Sequence, residues 1–223
     1  VFTDGRITLA DLVSQLKQDL PDDTLYADLR RLEKFGNDAP HTDRWTRYVV
    51  ETFDRELKRH RNTRGGAYVT GLYSVTAHQA FGRVTGALPH GRRKGEPFAS
   101  GIAPGNGLDR KGPTALLNSV NRLDFSRTAN GINFNIKFDH HTLRGDTGRM
   151  ALQSLIKTYF HRGGMQMQVN VLDPALLIRA RDNPGAYPHL LVRVSGYSAY
   201  FNDLTPAMQE EIIQRRQLGE GGC

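Results

Sequence analysis

The chain has 223 residues, of which 38% are hydrophobic and 24% charged, with a formal net charge of +7. This composition suits a folded protein with a substantial core and excludes a predominantly disordered chain. No run of about eighteen apolar residues occurs, so no membrane-spanning helix is predicted. The first residues also lack the basic and apolar regions of a secretory signal.

Three further features bear on location and partners. The chain starts at Val1 without an initiator methionine, which we interpret as an internal start within a longer polypeptide. The single cysteine, Cys223, leaves no pair for an internal disulfide and favours a reducing cytoplasm. The densest basic cluster, residues 55–64, ends a predicted helix, where cations complement the helix dipole. No aromatic RNA-binding signature accompanies it, so we expect no nucleic-acid and no membrane partner.

Three helices are predicted in the N-terminal part. Thr8 and Asp11 form a capping box ahead of the first. The second is predicted over residues 24–35, ended by the Gly36-Asn37 pair. The third carries an apolar face at helical spacing, which we expect to be core. This face comprises Trp45, Tyr48, Val49, Phe53 and Leu57.

From Gly65 the pattern changes. A strand leads into a short helix, and a Gly- and Pro-rich segment follows over residues 82–113, of a length that is usually functional or well anchored. A helix restarts at Pro113. Strands and helices then alternate: "GINFNIKF", the helix "LRGDTGRMALQSLIKTYFHR", "MQMQVNVL", the helix "PALLIRARD" and "LLVRV". A last helix begins after Thr205, and the order predicts an α/β architecture with parallel strands.

Local motifs reveal no conventional active site. "GLDRKGP" has the glycine spacing of a phosphate loop, but Pro113 stands where that loop needs a lysine. "DHH", residues 139–141, follows a strand and is better interpreted as solvated loop than as a metal site, so we expect no metal. The serines lack the "GxSxG" elbow of hydrolases, and Cys223 has no obvious group to activate its thiol.

One stretch near the C-terminus is more specific. Arg193-Val194-Ser195-Gly196-Tyr197, followed by Phe201 and "LTPAMQEEII", resembles the glycyl radical motif of the pyruvate formate-lyase-like superfamily. Further segments resemble the same family in the same order, across residues 7–215. They are "KFGND", "LYSVTAHQAFGRVTGALPHGRRKGEPF", "GLDRKGPTALLNSV" and "GGMQMQVNVLDPALLIRARDNPGAYPHLLVRVSGY".

The resemblance implies a fold and a domain division. It implies the C-terminal part of the ten-stranded α/β barrel of glycyl radical enzymes, with helices packed around it. Residues 1–64 would be the helical end of the pyruvate formate-lyase-like domain. Residues 65–223 would hold barrel strands and the glycyl radical domain, with the radical loop at 193–201.

The resemblance also implies a site. Gly196 would become a backbone radical when a radical S-adenosylmethionine activating enzyme removes a hydrogen from its α-carbon, with no cofactor bound. Arg193, Ser195 and Tyr197 would support the loop. Glycine suits this role because it has no Cβ, so the α-carbon can flatten and a partner can approach closely.

The family passes the radical to a cysteine, and in this respect the sequence departs from it. No cysteine precedes Gly196, and Cys223 lies beyond it, so the thiyl cysteine is not in this chain. The expected partners are therefore the activating enzyme, an N-terminal cysteine-loop portion and a small-molecule substrate, within a homodimer of the full enzyme.

The reaction stays open between several alternatives. "GGAYVTGLYSVTAHQAFG" and "GEPFASGIAPGNGLDRKGPTALLNSV" look more like the dehydratase, lyase and decarboxylase branch, which cleaves C–O, C–N, C–S or C–C bonds. "RVSGY" and "ANGINFNI" also fit the formate C-acetyltransferase branch, which acts on 2-ketoacids. Two other hypotheses are a spare-part subunit that restores an oxygen-cleaved enzyme and a non-catalytic binding module.

Overall fold

A computed structural model describes residues 5–138, 142–171, 173–194 and 197–214. Within these ranges the helices are α1 Leu9–Lys17, α2 Asp23–Arg31, α3 Pro40–Leu57, α4 Ala77–Val84, α5 Gly112–Val120, α6 Gly145–His161, α7 Pro174–Asp182 and α8 Pro206–Gln214. The strands are β1 Asn135–Phe138, β2 Gln168–Val171, β3 Leu191–Arg193 and β4 Ser198–Tyr200. None of the helices described is long and apolar enough to cross a membrane.

The chain divides into two compact units, of which the first comprises Val1–Glu33 and Ala77–Phe98. Its core includes Leu12, Leu20 and Leu29. The predicted capping box of α1 is confirmed, because the Thr8 hydroxyl accepts a hydrogen bond from the Asp11 amide at 3.1 Å.

The first part of the Gly- and Pro-rich segment, up to Phe98, belongs to this first unit and is anchored there. Arg92 is 3% exposed, and its guanidinium donates to the carbonyls of Gly82, Gly86 and Glu96. One buried cation thereby satisfies several loop carbonyls, which explains how a segment with little regular structure is held.

The second unit comprises Lys34–Thr76 and Ala99–Cys223. In this unit α6 connects β1 to β2, which pair in parallel with Asn135 opposite Gln168, as the alternating order predicted. Phe134 and Ile136 face α5 and α6 in the larger hydrophobic core, where the Phe134 ring lies 5.7 Å from that of Tyr159. The helix predicted over residues 143–162 is confirmed as α6, which ends at His161 and is followed by Gly163 with φ +93°.

A smaller core in the same unit surrounds the β3–β4 hairpin. Seven buried residues form it: Leu177, Ala180, Val192, Val194, Phe201, Met208 and Ile212. The predicted start of α8 is supported by the Thr205 hydroxyl, which accepts from the Met208 amide at 3.4 Å. β3 pairs antiparallel with β4, so the prediction of a parallel arrangement was wrong for this strand.

Two helix predictions also need correction. α2 ends at Arg31 rather than at residue 35, because the chain becomes extended at Leu32 and passes into the second unit after Glu33. The apolar face of α3 is not core. Trp45 is 59% exposed and Val49 63%, while the buried residues of this helix are Asp43 and Asp54.

The predicted domain division after residue 64 remains a prediction.

Candidate functional site

The predicted radical motif falls on the β3–β4 hairpin. Arg193 pairs with Ser198 in the strand register, and the Arg193 Nη1 donates to the Ser198 Oγ at 3.3 Å. The Val194 amide donates to the Tyr197 carbonyl at 2.9 Å, so the two strands stay hydrogen-bonded up to the residues that join them. The described residues of the motif therefore lie at the facing ends of two paired strands.

The predicted site residues are not all described. Arg193 is half-buried at the end of β3, and Tyr197, which is 36% exposed, precedes β4. Ser195 and Gly196 lie outside the described residues, and so does Cys223. What the structure brings together are the residues that flank Gly196 on each side.

Side-chain amides anchor the hairpin from its far end. The Asn202 Nδ2 donates to the carbonyls of Pro184 and Tyr187 at 2.8 and 3.1 Å. The Gln209 Nε2, on α8, donates to the Phe201 carbonyl at 2.9 Å. These bonds satisfy backbone carbonyls just outside the strands and fix the direction in which the chain leaves β4.

The parallel strands present a polar face that the sequence patterns did not assign to the site. We call it the amide face; its members are Asn133, Asn135, Lys137, Gln166, Gln168 and Asn170. These residues alternate with apolar ones that pack in the larger core or against it, among them Phe134, Ile136, Met167 and Val169. The alternation is visible in "NFNIKF" and "QMQVN" and could have been recognised as a strand pair that is polar on one side.

A cavity of about 60 Å³ opens beside this face. Asn135, Lys137 and Asn170 line one side, and the segment from Ala103 to Gly107 lines another, with Ile212 of α8 also at its wall. Lys137 is only 6% exposed. The cavity is large enough for small polar molecules of the size of water and has groups that can bind them.

Asn135 connects this cavity to the hairpin. Its Nδ2 donates to the Asn133 Oδ1 at 3.0 Å and to the Val194 carbonyl at 3.4 Å, a long and therefore weak bond. Its Oδ1 is buried and accepts no hydrogen bond from the residues that the structure describes. Asn135 thus contacts the backbone two residues before Gly196 and also lines the cavity.

The described parts of the chain contain no cluster of three or more His, Cys, Asp or Glu side chains that could hold a metal ion. Residues 139–141, the "DHH" segment, lie outside them. The described groups around the hairpin include amides, hydroxyls, Lys137, Arg193, the His189 ring beside Tyr200 and the buried Glu211 of α8.

Comparisons with known proteins agree with the motif. A glycine radical family model matches residues 98–202, a range that includes Gly196, and a pyruvate formate lyase-like model matches residues 1–82. The chain belongs to the glycyl radical enzyme family, and it corresponds to the C-terminal part of those enzymes, with the fold of that part of their α/β barrel.

Particular relatives lie in two branches of the family. The chain is 34% identical to (2S)-3-sulfopropanediol dehydratase of Klebsiella oxytoca, over 98% of this chain and 27% of that protein. It is 34% identical to formate acetyltransferase 1 of Escherichia coli, over 82% of this chain and 25% of that protein. The structure matches the B12-independent glycerol dehydratase of Clostridium butyricum with a TM-score of 0.93 at 41% identity, over 98% of this chain and 28% of that one. The chain therefore spans little more than a quarter of the length of these relatives.

Proposed function

We propose that this chain is the radical-bearing C-terminal part of a glycyl radical enzyme, and that Gly196 stores the radical. The observation that carries the proposal is the position of Gly196: it lies in the "RVSGY" motif, inside the range matched by the glycine radical model. The hydrogen-bonded hairpin flanks support it, since they hold together the residues on either side of Gly196.

In the proposed reaction a radical S-adenosylmethionine activating enzyme removes one hydrogen atom from the Gly196 α-carbon. The stored radical then takes a hydrogen atom from a cysteine thiol in the upstream portion of the enzyme, which leaves a thiyl radical there. The thiyl radical takes a hydrogen atom from the substrate. In this chain Arg193, Ser195 and Tyr197 hold the loop, and no role is assigned to Cys223.

The test is electron paramagnetic resonance on the chain co-expressed with the upstream portion of its enzyme. Anaerobic incubation with the activating enzyme and S-adenosylmethionine is expected to give a doublet, split by the remaining α-hydrogen. Growth on α-deuterated glycine should collapse that splitting, because deuterium has the smaller magnetic moment. Gly196→Ala should abolish the signal.

Gly185→Ala is the matched control, because Gly185 has open space around the position of an added Cβ. It should keep the doublet. After exposure to air, mass spectrometry should find a short C-terminal peptide produced by cleavage at Gly196. A doublet that survives Gly196→Ala would refute the assignment.

For the reaction we propose the dehydratase, lyase and decarboxylase branch, acting on a small polar molecule. The sulfopropanediol dehydratase matches 98% of this chain, against 82% for the formate acetyltransferase, and the amide face offers hydrogen-bonding groups beside the cavity, with Lys137 among them. Dehydration of a vicinal diol would yield an aldehyde and one water molecule. Formation of an aldehyde from 1,2-propanediol supports this branch, whereas formate from pyruvate and coenzyme A supports the second candidate, the acetyltransferase branch.

The remaining partners belong to the same proposal. We place the enzyme in the cytoplasm, as a homodimer, with the activating enzyme as a transient partner. If this chain alone restored activity to an oxygen-cleaved relative, the spare-part hypothesis would replace this assignment. Salt-sensitive binding to an anionic polymer, together with no radical after activation, would favour the binding module instead.

A further inference from the structure

Four large apolar residues of helix α3 are exposed to solvent. Trp45 is 59% exposed, Tyr48 56%, Val49 63% and Phe53 53%, and we call this set the outer face of α3. The rings of Trp45 and Tyr48 meet edge to face, with centroids 6.1 Å apart. Their spacing of three, four and eight residues puts the four side chains on one stripe of the helix. Single exposed apolar residues are common, but a continuous stripe of large ones marks an interaction surface.

The opposite side of α3 is charged and buried. Asp43 is 0% exposed and accepts from the Arg122 Nη1 at 2.6 Å. Asp54 is 1% exposed and accepts from the Thr70 hydroxyl at 2.9 Å. The helix therefore packs in its own unit through these buried carboxylates and through Val50, which contacts the larger core, and it leaves the outer face of α3 exposed.

We propose that the outer face of α3 is the surface on which the upstream portion of the same enzyme packs. This inference rests on the proposed function, which requires that portion to supply the cysteine. α3 lies within residues 1–82, which match the pyruvate formate lyase-like model. The relatives that align with 98% of this chain continue in one polypeptide more than three times as long. An upstream portion is thus present in equal amount and is large enough to cover the stripe.

The occupant must be apolar where it meets the stripe and must accommodate one cation. The Arg44 guanidinium lies 5.1 Å from the centre of the Trp45 ring, so a cation sits at the edge of the aromatic pair. A partner surface that is apolar at its centre and carries a hydrogen-bond acceptor for Arg44 at its border fits the outer face of α3. A second copy of this chain is the competing occupant.

The test is co-purification. The chain is co-expressed with a tagged upstream portion of the same enzyme, and the amount of chain retained per tagged partner is measured. Wild type should be retained in equal amount. Val49→Asp places a charge in the middle of the stripe and should reduce retention at least about tenfold, since a charge buried in an apolar contact is strongly disfavoured. Tyr48→Ser should reduce it as well.

Met150→Asp is the matched control. Met150 is 65% exposed, close to the 63% of Val49, and also lies on a helix, but its neighbours on that helix surface are the polar residues Asp146, Thr147, Gln153 and Ser154. The Met150→Asp chain should be retained by the tagged upstream portion in the same amount as wild type. Thermal unfolding of each variant, followed by circular dichroism, should show that Val49→Asp folds, as expected for an exposed position.

Two results would overturn the proposal. Retention of Val49→Asp at the wild-type level would show that the stripe is not the contact. A dimer of the chain alone in sedimentation velocity, lost in Val49→Asp, would assign the stripe to a second copy. Neither measurement needs the radical: a Val49-dependent complex without a doublet contradicts only the proposed function, and a doublet-bearing complex indifferent to Val49→Asp contradicts only the docking surface.

Discussion

The two strand pairs of the second unit are stabilised in different ways. β1 and β2 pair in parallel over four residues each, are joined by the long helix α6, and are backed by the larger core. β3 and β4 pair antiparallel over three residues and are separated by only four positions of sequence. A parallel pair depends on distant parts of the chain, whereas a hairpin depends mainly on itself and its immediate neighbours.

The two strand pairs therefore have different structural roles. The parallel pair is a platform, because one face is fixed in a core and the other carries amides toward a cavity. The hairpin has its own small core and carries the motif with Gly196. Local stability in proteins follows such units, so the platform and the hairpin should respond separately to mutation.

The largest effect is expected from the platform core. Phe134 is 0% exposed and packs against the Tyr159 ring. Phe134→Ala should lower the free energy of unfolding by about 3–5 kcal/mol, because it removes buried apolar surface and leaves a cavity. Urea unfolding followed by circular dichroism measures this. Val171→Ala, at a position 43% exposed on β2, should cost much less, and equal losses would contradict the platform interpretation.

The matching change in the hairpin core should act locally. Phe201 is also 0% exposed, and Phe201→Ala should cost about 3 kcal/mol within its own cluster. Hydrogen exchange should accelerate over residues 187–213 and stay near wild type over residues 132–138. Tyr200→Ala, at the 43% exposed neighbour, is the control. Acceleration spread equally over both regions would remove the distinction between platform and hairpin.

An intermediate and pH-dependent effect is expected at Asp54, on the helix that flanks the platform. The Lys58 ammonium, which bonds to this carboxylate at 2.8 Å, holds the pKa of Asp54 below its ordinary value of 3.8, with help from Thr70 and Arg127. A lowered folded pKa means that the ionised carboxylate stabilises the fold above pH 3.8, and that this contribution is lost as the pH falls through the folded pKa.

Asp54→Asn should therefore lower the free energy of unfolding at pH 7 by about 1–3 kcal/mol, the usual value of hydrogen bonds to a charged group. The difference from wild type should shrink as the pH falls below 3.8. Urea unfolding at several pH values measures this. Asp146→Asn, at an 85% exposed carboxylate on α6, serves as control, and a difference that grows in acid would contradict the assignment.

The sequence predicted the order of elements well where one face of an element is apolar. The alternation of "GINFNIKF" and "MQMQVNVL" located β1 and β2, and the Thr8 and Asp11 pattern located the start of α1. These signals are local, since a capping box or a period of two needs only a few neighbouring residues.

The predictions that failed concern contacts between residues that are far apart in the sequence. The spacing on α3 correctly predicts an apolar stripe, but periodicity does not say which face the rest of the protein covers. On the opposite face, residues far along the chain make the contacts: Arg122 pairs with Asp43, and the larger core packs against Val50. Asn135 was missed for the same reason: its contact with Val194 spans 59 positions of sequence.

The smallest effect is expected where platform and hairpin touch. Asn135→Ala removes the bond from Nδ2 to the Val194 carbonyl, which at 3.4 Å is long and should be worth about 0.5–1 kcal/mol. Exchange of the Val194 amide, which is protected by the Tyr197 carbonyl, should accelerate about two- to fivefold. Asn170→Ala is the control, because Asn170 lines the same cavity but donates within its own strand, to the Gln168 carbonyl.

The two variants separate a positioning role from a general loosening of the amide face. If Asn135 orients the hairpin, its loss should accelerate exchange at Val194 while the amides of β1 and β2 keep their wild-type rates. In the activated complex it should also shorten the life of the glycyl doublet, since a less fixed loop exposes Gly196 more often. Equal acceleration of exchange in Asn135→Ala and Asn170→Ala would mean that the platform and the hairpin unfold as one cooperative unit. The two strand pairs would then differ in their hydrogen-bonding geometry but not in their local stability.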